Sequence, residues 1–188
     1  MWGRSWMTLR PDPNLRDLEL VRRFQAGDGS AFDCLVEAHQ REVYRLAYRL
    51  LGNHADADDL AQETFLRIYR SLGRFRAESA FRTWLTRIVL NLATDRRREL
   101  AAHRHFSLEE LAPADHPSDP GGRSGFLPEE VLRKAVGQLP RRQRETLILR
   151  VFQQMKFHEI AAVMGCTVGT AKANYFHALR GLRERVGG

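Results

Sequence analysis

The sequence predicts an all-α protein built as two small helical domains joined by a flexible linker. Three observations predict it. From Leu15 to Arg98 apolar residues recur at helical spacing, interrupted by short stops that contain glycine. From Ala101 to Gly125 that pattern dissolves into Pro113, Pro117, Pro120, Gly121, Gly122 and Gly125, the composition of a linker. From Pro128 onward the periodicity returns and closes in a short helix, a glycine turn and a longer helix. At 188 residues and 43 % apolar content the chain has room for one large or two small domains with real cores.

Taken in order, residues 1–13 read as a frayed lead, with Pro11 and Pro13 against a helix and Met7 as an alternative start. The lead lacks the apolar core of a signal peptide. Apolar residues at 15, 18, 21 and 24 mark a short amphipathic helix to about Gln25, ended by Ala26-Gly27-Asp28-Gly29. Ser30 is expected to cap a long helix to about Leu51, with Phe32, Leu35, Val36, Val43, Leu46, Ala47 and Leu50 inward and Gly52-Asn53 stopping it.

The next helix, about Ala55 to Ser71, opens with Asp56, Asp58 and Asp59, continues to Gln62 and Glu63, and ends with Arg67 and Arg70. Leu60, Phe65, Leu66, Ile68 and Tyr69 supply its apolar surface. Acids first and bases last suit the helix dipole. Yet four acids and a glutamine within eight residues exceed what capping needs. An acidic docking face for a basic partner is the functional reading. Metal-dependent chemistry is its rival, but no His or third-segment carboxylate joins these acids at a recognisable spacing.

Leu72 to Ala80, with Gly73, Arg74, Arg76 and Glu78, reads as a loop, and Ser79 as the cap of a helix from Phe81 to about Arg98. One side of that helix holds Trp84, Leu85, Ile88 and Leu92. The other exposes Arg82, Arg87, Asn91 and the run Arg96-Arg97-Arg98. Aromatic, basic and amide groups beside an Arg-bearing loop offer single-stranded nucleic acid a charged track and surfaces for splayed bases. A solvated helix end around a core Trp84 fits the same pattern.

After the linker a helix from Pro128 to about Gln138 leads into three more. Arg141 to Phe152 places Leu147, Ile148 and Val151 on its buried side. Phe157 to Met164 presents Ile160, Ala161, Val163 and Met164 and is closed by Gly165, where a left-handed residue costs least. Thr167 can cap the last helix, which Ala171, Tyr175, Ala178 and Leu182 hold to the body. Lys172, Ala173, Asn174, Phe176, His177 and Arg180 remain on the free face, a set suited to phosphates and base edges in a major groove. The plain alternative is a helical hairpin with a solvated polar face.

Charge supports a polyanionic partner. The net charge is +7, distributed as +3 over residues 1–99 (17 basic, 14 acidic), −2 over residues 100–127 and +6 over residues 128–188 (11 basic, 5 acidic). Cys34 and Cys166 form neither a disulfide framework nor a metal pair, and the linker histidines His103, His105 and His116 have no Cys beside them. No apolar run approaches the roughly 18 residues of a membrane span. The expectation is a soluble cytoplasmic protein with no cofactor and no membrane insertion.

Together these motifs resemble the extracytoplasmic-function (ECF) group of sigma-70-family sigma factors. FQAGDGSAFDCLV, DADDLAQETFLRIYRSLGRFR and FRTWLTRIVLNLATDRRR look like sigma domain 2, placed at residues 14–99; residues 127–186 look like sigma domain 4, with residues 100–126 between them. The resemblance implies a non-enzymatic initiation factor whose partners are core RNA polymerase, promoter DNA and an anti-sigma factor wedged between the domains. It places Asp56, Asp59, Gln62, Glu63, Phe65 and Arg67 against polymerase. Arg74, Arg76, Ser79, Trp84, Arg87 and Asn91 fall where the −10 element is opened, with Arg96, Arg97 and Arg98 along the backbone. Thr170, Lys172, Ala173, Asn174, Phe176, His177 and Arg180 fall on the −35 recognition helix, which here carries fewer cations than the commoner version. An anti-sigma factor would cover the face from Asp56 to Glu63 and apolar surface near Leu147 and Val151. Two rivals stand beside this reading: a helix-turn-helix regulator acting alone through residues 141–185, and a metal-dependent hydrolase using the acids at 56–63.

Overall fold

The computed structural model describes residues 13–106 and 129–186. Among these residues every regular element is a helix: α1 (Pro13–Gln25), α2 (Ser30–Leu51), α3 (His54–Leu72), α4 (Phe81–Phe106), α5 (Glu129–Gly137), α6 (Arg141–Val151), α7 (Phe157–Met164) and α8 (Val168–Val186). The N-terminal lead, the linker residues 107–126 with His116, and Pro128 as a helix start lie outside the described residues.

Helices α1 to α4 form one bundle with α2 at its centre. Leu35, Val43, Leu46, Ala47 and Leu50 of α2 are buried against α1, α3 and α4. Gly52 ends α2 in the left-handed conformation (φ 88°), and its N–H returns to the Tyr48 carbonyl at 2.8 Å. Asn53 then caps α3, its Oδ1 accepting the Asp56 N–H at 2.8 Å. Three expectations change here. Ser30 does not cap α2; Asp28 does that work, its Oδ1 accepting both the Ser30 N–H (3.0 Å) and the Ser30 hydroxyl. Leu15 stays exposed, and α1 turns Leu20 inward with Val21. Helix α4 runs on to Phe106, because nothing before the proline-rich stretch interrupts it; Ser79, expected as its cap, donates instead to the Ala80 carbonyl at 3.4 Å.

Helices α5 to α8 form the second bundle. Gly165 closes α7 at φ 60°, and Thr167 Oγ1 accepts the Thr170 N–H at 3.0 Å to start α8. Ala171 and Ala178 are fully buried where α8 crosses α7 and α6. Leu147 and Ile148 are buried as expected, but Val151 is 47 % exposed. The cause is positional: α6 ends at Val151, and the chain then buries Gln153 and Met155 instead.

The two bundles are not separate beads. The core of α1–α4 continues without a break into Ile148, Leu149, Met155, Ile160, Ala161 and Val163. Polar contacts seal the seam. Arg82 pairs with Glu42 at 2.6 Å and donates to the Gln153 carbonyl and to Gln153 Oε1, both at 3.0 Å. Arg87 donates to the Ala162 carbonyl at 2.6 Å, and Arg141 donates to Thr94 Oγ1 at 3.0 Å. In this closed arrangement α7 lies on α4.

Candidate functional site

The acidic helix resolves into two kinds of residue. Asp56 is half-buried and engaged internally: it accepts from Arg96 at 2.9–3.0 Å and from the Asn53 amide. Asp56 and Arg96, read from sequence as a docking acid and a DNA-backbone cation, thus hold each other and tie α3 to α4. Asp59, Gln62, Glu63 and Arg67 are exposed, with Asp59 only 3.6 Å from Arg96 and its carboxylate 69 % accessible. Phe65 is half-buried at the wall of a groove of about 870 Å3 between α2 and α3, floored by Phe32 and Val36 and edged by Gln62, Leu66 and Tyr69.

Leu66 and Tyr69 are 52 % and 55 % exposed. From sequence they count only as part of the helix's apolar surface. The signal was available, since Leu60, Thr64, Ile68 and Leu72 already fill one buried stripe and Leu66 and Tyr69 fall outside it. An exposed apolar pair edging an acidic face marks a protein-binding surface more than a metal site. Among the described residues no group of three His, Cys, Asp or Glu is arranged to hold a metal ion.

On the loop after α3, Arg74 and Arg76 are exposed and Ser79 is half-buried. Gln25 Nε2 donates to the carbonyls of Leu72 (3.1 Å) and Phe75 (3.0 Å), pinning the loop's base to α1. Ala77 sits at φ 55°, a left-handed conformation that costs a non-glycine residue about 1 kcal/mol and is held by such anchoring. Trp84 is half-buried, with Phe75 at 4.9 Å and Phe81 at 5.8 Å between ring centroids. Neither Gln25 nor Phe75 was picked out from sequence, because their roles appear only once α1 and the loop are brought together. Asn91 and Arg98 are exposed, Arg97 is half-buried, and Arg98 lies 3.7 Å from Asp95. Arg87 is exposed, yet its guanidinium is spent on the Ala162 carbonyl.

Helix α8 presents Lys172, Ala173, Phe176, His177 and Arg180 to solvent, with Phe176 63 % exposed. The Phe176 and His177 rings meet edge-on at 5.8 Å. Arg180 lies 3.8 Å from Glu184, a loose i,i+4 pair. Thr170 is exposed and its hydroxyl is shared with Thr167 at 2.9 Å. Asn174 is the departure: it is half-buried and its Nδ2 is covered without a hydrogen-bond partner. Helix α7 is braced under α8 by the Phe157–Tyr175 ring contact at 5.7 Å and by Arg142, which donates to the Met164 carbonyl at 3.2 Å.

A helix-turn-helix with an exposed mixed face, joined to a bundle bearing an aromatic–arginine surface and an acidic helix, defines a DNA-binding transcription factor with a protein-docking face. Residues 35–103 match the family model for sigma-70 region 2, and residues 129–182 match that for sigma-70 region 4. The chain is 36 % identical over 173 residues to the RNA polymerase sigma-H factor of Pseudomonas aeruginosa, covering 87 % of this chain and 90 % of that one. It is 32 % identical over 182 residues to the ECF RNA polymerase sigma-E factor of Salmonella typhimurium, covering 92 % and 95 %. Its fold matches that of the sigma factor RpoE bound to the anti-sigma factor NepR from Bartonella quintana, with a TM-score of 0.70 at 25 % identity over 83 % of this chain and 96 % of that one. CnrH in complex with the cytosolic domain of CnrY matches with a TM-score of 0.66 at 25 % identity over 90 % and 96 %. The chain belongs to the sigma-70 family, in its ECF group. It is accordingly an alternative sigma factor, an initiation factor and not an enzyme. No helix of the described residues is long and apolar enough to cross a membrane.

Proposed function

We propose that the chain divides its work by helix, in the cytoplasm, as a two-ended adaptor between core RNA polymerase and promoter DNA. The exposed part of α3 (Asp59, Gln62, Glu63 and Arg67) with the groove wall at Phe65 is the docking face; Asp56 serves it from behind by fixing α4 through Arg96. The loop Arg74–Ser79 and the α4 residues Trp84, Arg87 and Asn91 take the opened −10 strand, with Arg97 and Arg98 beside its backbone. Helix α8 enters the major groove at the −35 element with Lys172, Ala173, Phe176, His177 and Arg180, while Thr170 and Asn174 position its start and middle. The observation that carries this division is the pairing, on one chain, of an exposed acidic helix edged by Leu66 and Tyr69 with an exposed helix-turn-helix face.

The closed arrangement adds a step. Arg87 is held by α7, so capture of the −10 strand requires α7 to leave α4. An anti-sigma partner that favours the closed form would keep the factor idle; its footprint includes α3 from Asp59 to Glu63 and exposed Val151, whereas Leu147 is already covered by α8. Gel filtration with purified core polymerase, followed by run-off transcription from a genomic fragment library, tests the assignment. Co-migration and promoter-specific transcripts are expected. Duplex binding without co-migration would instead favour a helix-turn-helix regulator acting alone.

A further inference from the structure

A second cleft opens where the end of α2, the start of α3 and Arg97 of α4 face α5 and α6. It encloses about 620 Å3 and is lined by six arginines, Arg41, Arg45, Arg49, Arg97, Arg133 and Arg144, with no Asp or Glu among its lining residues. Tyr44, Tyr48, His54 and Phe152 add aromatic rings to a wall whose remainder is aliphatic residues and two glycines. His54 stacks on Tyr48 at 4.6 Å and 22° and lies near-parallel to Tyr44 at 6.2 Å and 17°.

Several arginines outside the cleft, Arg23, Arg82, Arg96, Arg98, Arg141 and Arg180, meet a carboxylate, while others such as Arg67, Arg74 and Arg76 stand on open surface. In the cleft, Arg41, Arg45, Arg97 and Arg133 enter no ion pair among the described residues, and Arg49 stands 4.3 Å over the Phe152 ring. Arg144 is only 8 % exposed; it donates one bond to the Gly137 carbonyl at 2.9 Å, and its buried Nε has no hydrogen-bond partner. Burial lowers its pKa, with Glu145 opposing only in part. Gathering like charges around a half-enclosed space is unfavourable unless an anion joins them. The apolar floor of Leu50 and Ile148 holds the groups in place regardless, which is how a preformed anion site is built.

Size and wall chemistry select the anion. A cleft of this volume is in the range that takes a compound of drug size, far more than one phosphate fills. Guanidinium forks match phosphate oxygens, and a stacked ring face accepts a planar base. We propose that this cleft binds a nucleoside polyphosphate, its phosphates between Arg45 and Arg133 and its base against the Tyr48–His54 face. Both bundles contribute to the walls, so an occupied cleft holds α5 and α6 against α2 and favours the closed arrangement. That consequence, though not the binding itself, rests on the function proposed above.

Calorimetric titration of the purified full chain at physiological ionic strength, without polymerase or promoter, tests it with ATP, inorganic triphosphate and adenosine as probes. Saturable ATP binding is expected, at least roughly tenfold tighter than either fragment, since stacking and phosphate contacts both contribute. Arg45→Glu with Arg133→Glu should lower ATP affinity by about tenfold or more, and Arg45→Gln by less, because charge reversal replaces attraction with repulsion. Arg16→Glu with Arg22→Glu makes the same charge change on α1, outside the cleft, and should leave ATP affinity unchanged. His54→Ala should weaken ATP and leave triphosphate unaffected. The absence of saturable ATP binding overturns the proposal, as does equal weakening by the α1 pair. So does displacement of ATP by an equimolar single-stranded oligonucleotide or acidic peptide, which would give the cleft to a macromolecule. With no polymerase in the assay, failure here leaves the sigma-factor assignment standing, and failure of promoter-specific transcription leaves this binding result standing.

Discussion

Raising the pH from 6.5 to 9.5 should weaken this fold through one histidine. His39 is 8 % exposed in the middle of α2, with its Nε2 3.0 Å from Asp17 Oδ2 and its Nδ1 3.9 Å from Glu42 Oε2. Burial pushes the imidazole pKa down, but the two carboxylates outweigh it and raise the value from 6.5 to about 9. A group charged in the fold and neutral in the unfolded chain contributes fully below the unfolded value and is lost as pH climbs through the folded one. The window is therefore 6.5 to about 9. At 1.36 kcal/mol per pKa unit, that interval is worth at most about 3 kcal/mol, and relaxation around the buried pair brings the expectation to ~1–3 kcal/mol. Urea unfolding of the wild type and of His39→Gln at pH 6.5 and 9.5 measures it. The wild type should lose ~1–3 kcal/mol more than the variant, which carries no titrating group at position 39. Glu42 does not confuse the reading: burial opposes its ionisation, but His39 and Arg82 hold its pKa below the ordinary value, outside the window. Parallel pH profiles for the two proteins would refute the argument.

Three further outcomes follow from named contacts. Asp59→Arg with Glu63→Arg should weaken binding to core polymerase at least about tenfold with unchanged helicity, since both side chains are exposed and reversal at a complementary patch costs several kcal/mol; a pull-down at wild-type affinity would remove α3 as the docking face. Lys172→Ala should lower DNA binding across all sequences, whereas His177→Ala should relax discrimination at one or two −35 base pairs by about 1–3 kcal/mol, and Asn174→Ala should do less because its amide nitrogen is covered; selection on a randomised −35 library separates them. Arg82→Ala removes the Glu42 pair and both bonds to Gln153, and should enlarge the radius of gyration by X-ray scattering as α6 and α7 leave the first bundle; an unchanged radius would mean that the apolar seam alone holds the halves together.

How much of this was legible in the sequence depends on the range of the interaction. Helix existence and stops were readable because they are local. Gly52 and Gly165 are left-handed where the pattern breaks, and Thr167 caps α8 from the adjacent residue. Caps were readable only when the right neighbour was chosen. Ser30 and Asp28 both have cap chemistry, and the carboxylate wins because it accepts from the serine itself. Acid–base pairs between helices were not readable. Nothing in the local pattern shows that Asp56 meets Arg96, forty residues away, and so each was read as free for a partner.

The contact between the bundles was hidden for a more interesting reason. The residues that form it have exposed-face chemistry. By periodicity Arg82 and Arg87 fall on the exposed side of their helix, and Arg141 is the first residue of its own. In the closed arrangement they spend their donors on the Gln153 and Ala162 carbonyls and the Thr94 hydroxyl. Those acceptors are cheap to abandon, because a backbone carbonyl or hydroxyl released at the seam regains water, and an arginine released there regains either water or a phosphate. A seam of this kind closes over its apolar part when DNA is absent and yields when a polyanion competes for the same guanidiniums. Under the proposed −10 assignment Arg87 is the sharpest instance, since one side chain cannot hold Ala162 and a phosphate together. On that proposal, the double use that made these residues ambiguous in the sequence would let the fold be shut without being locked.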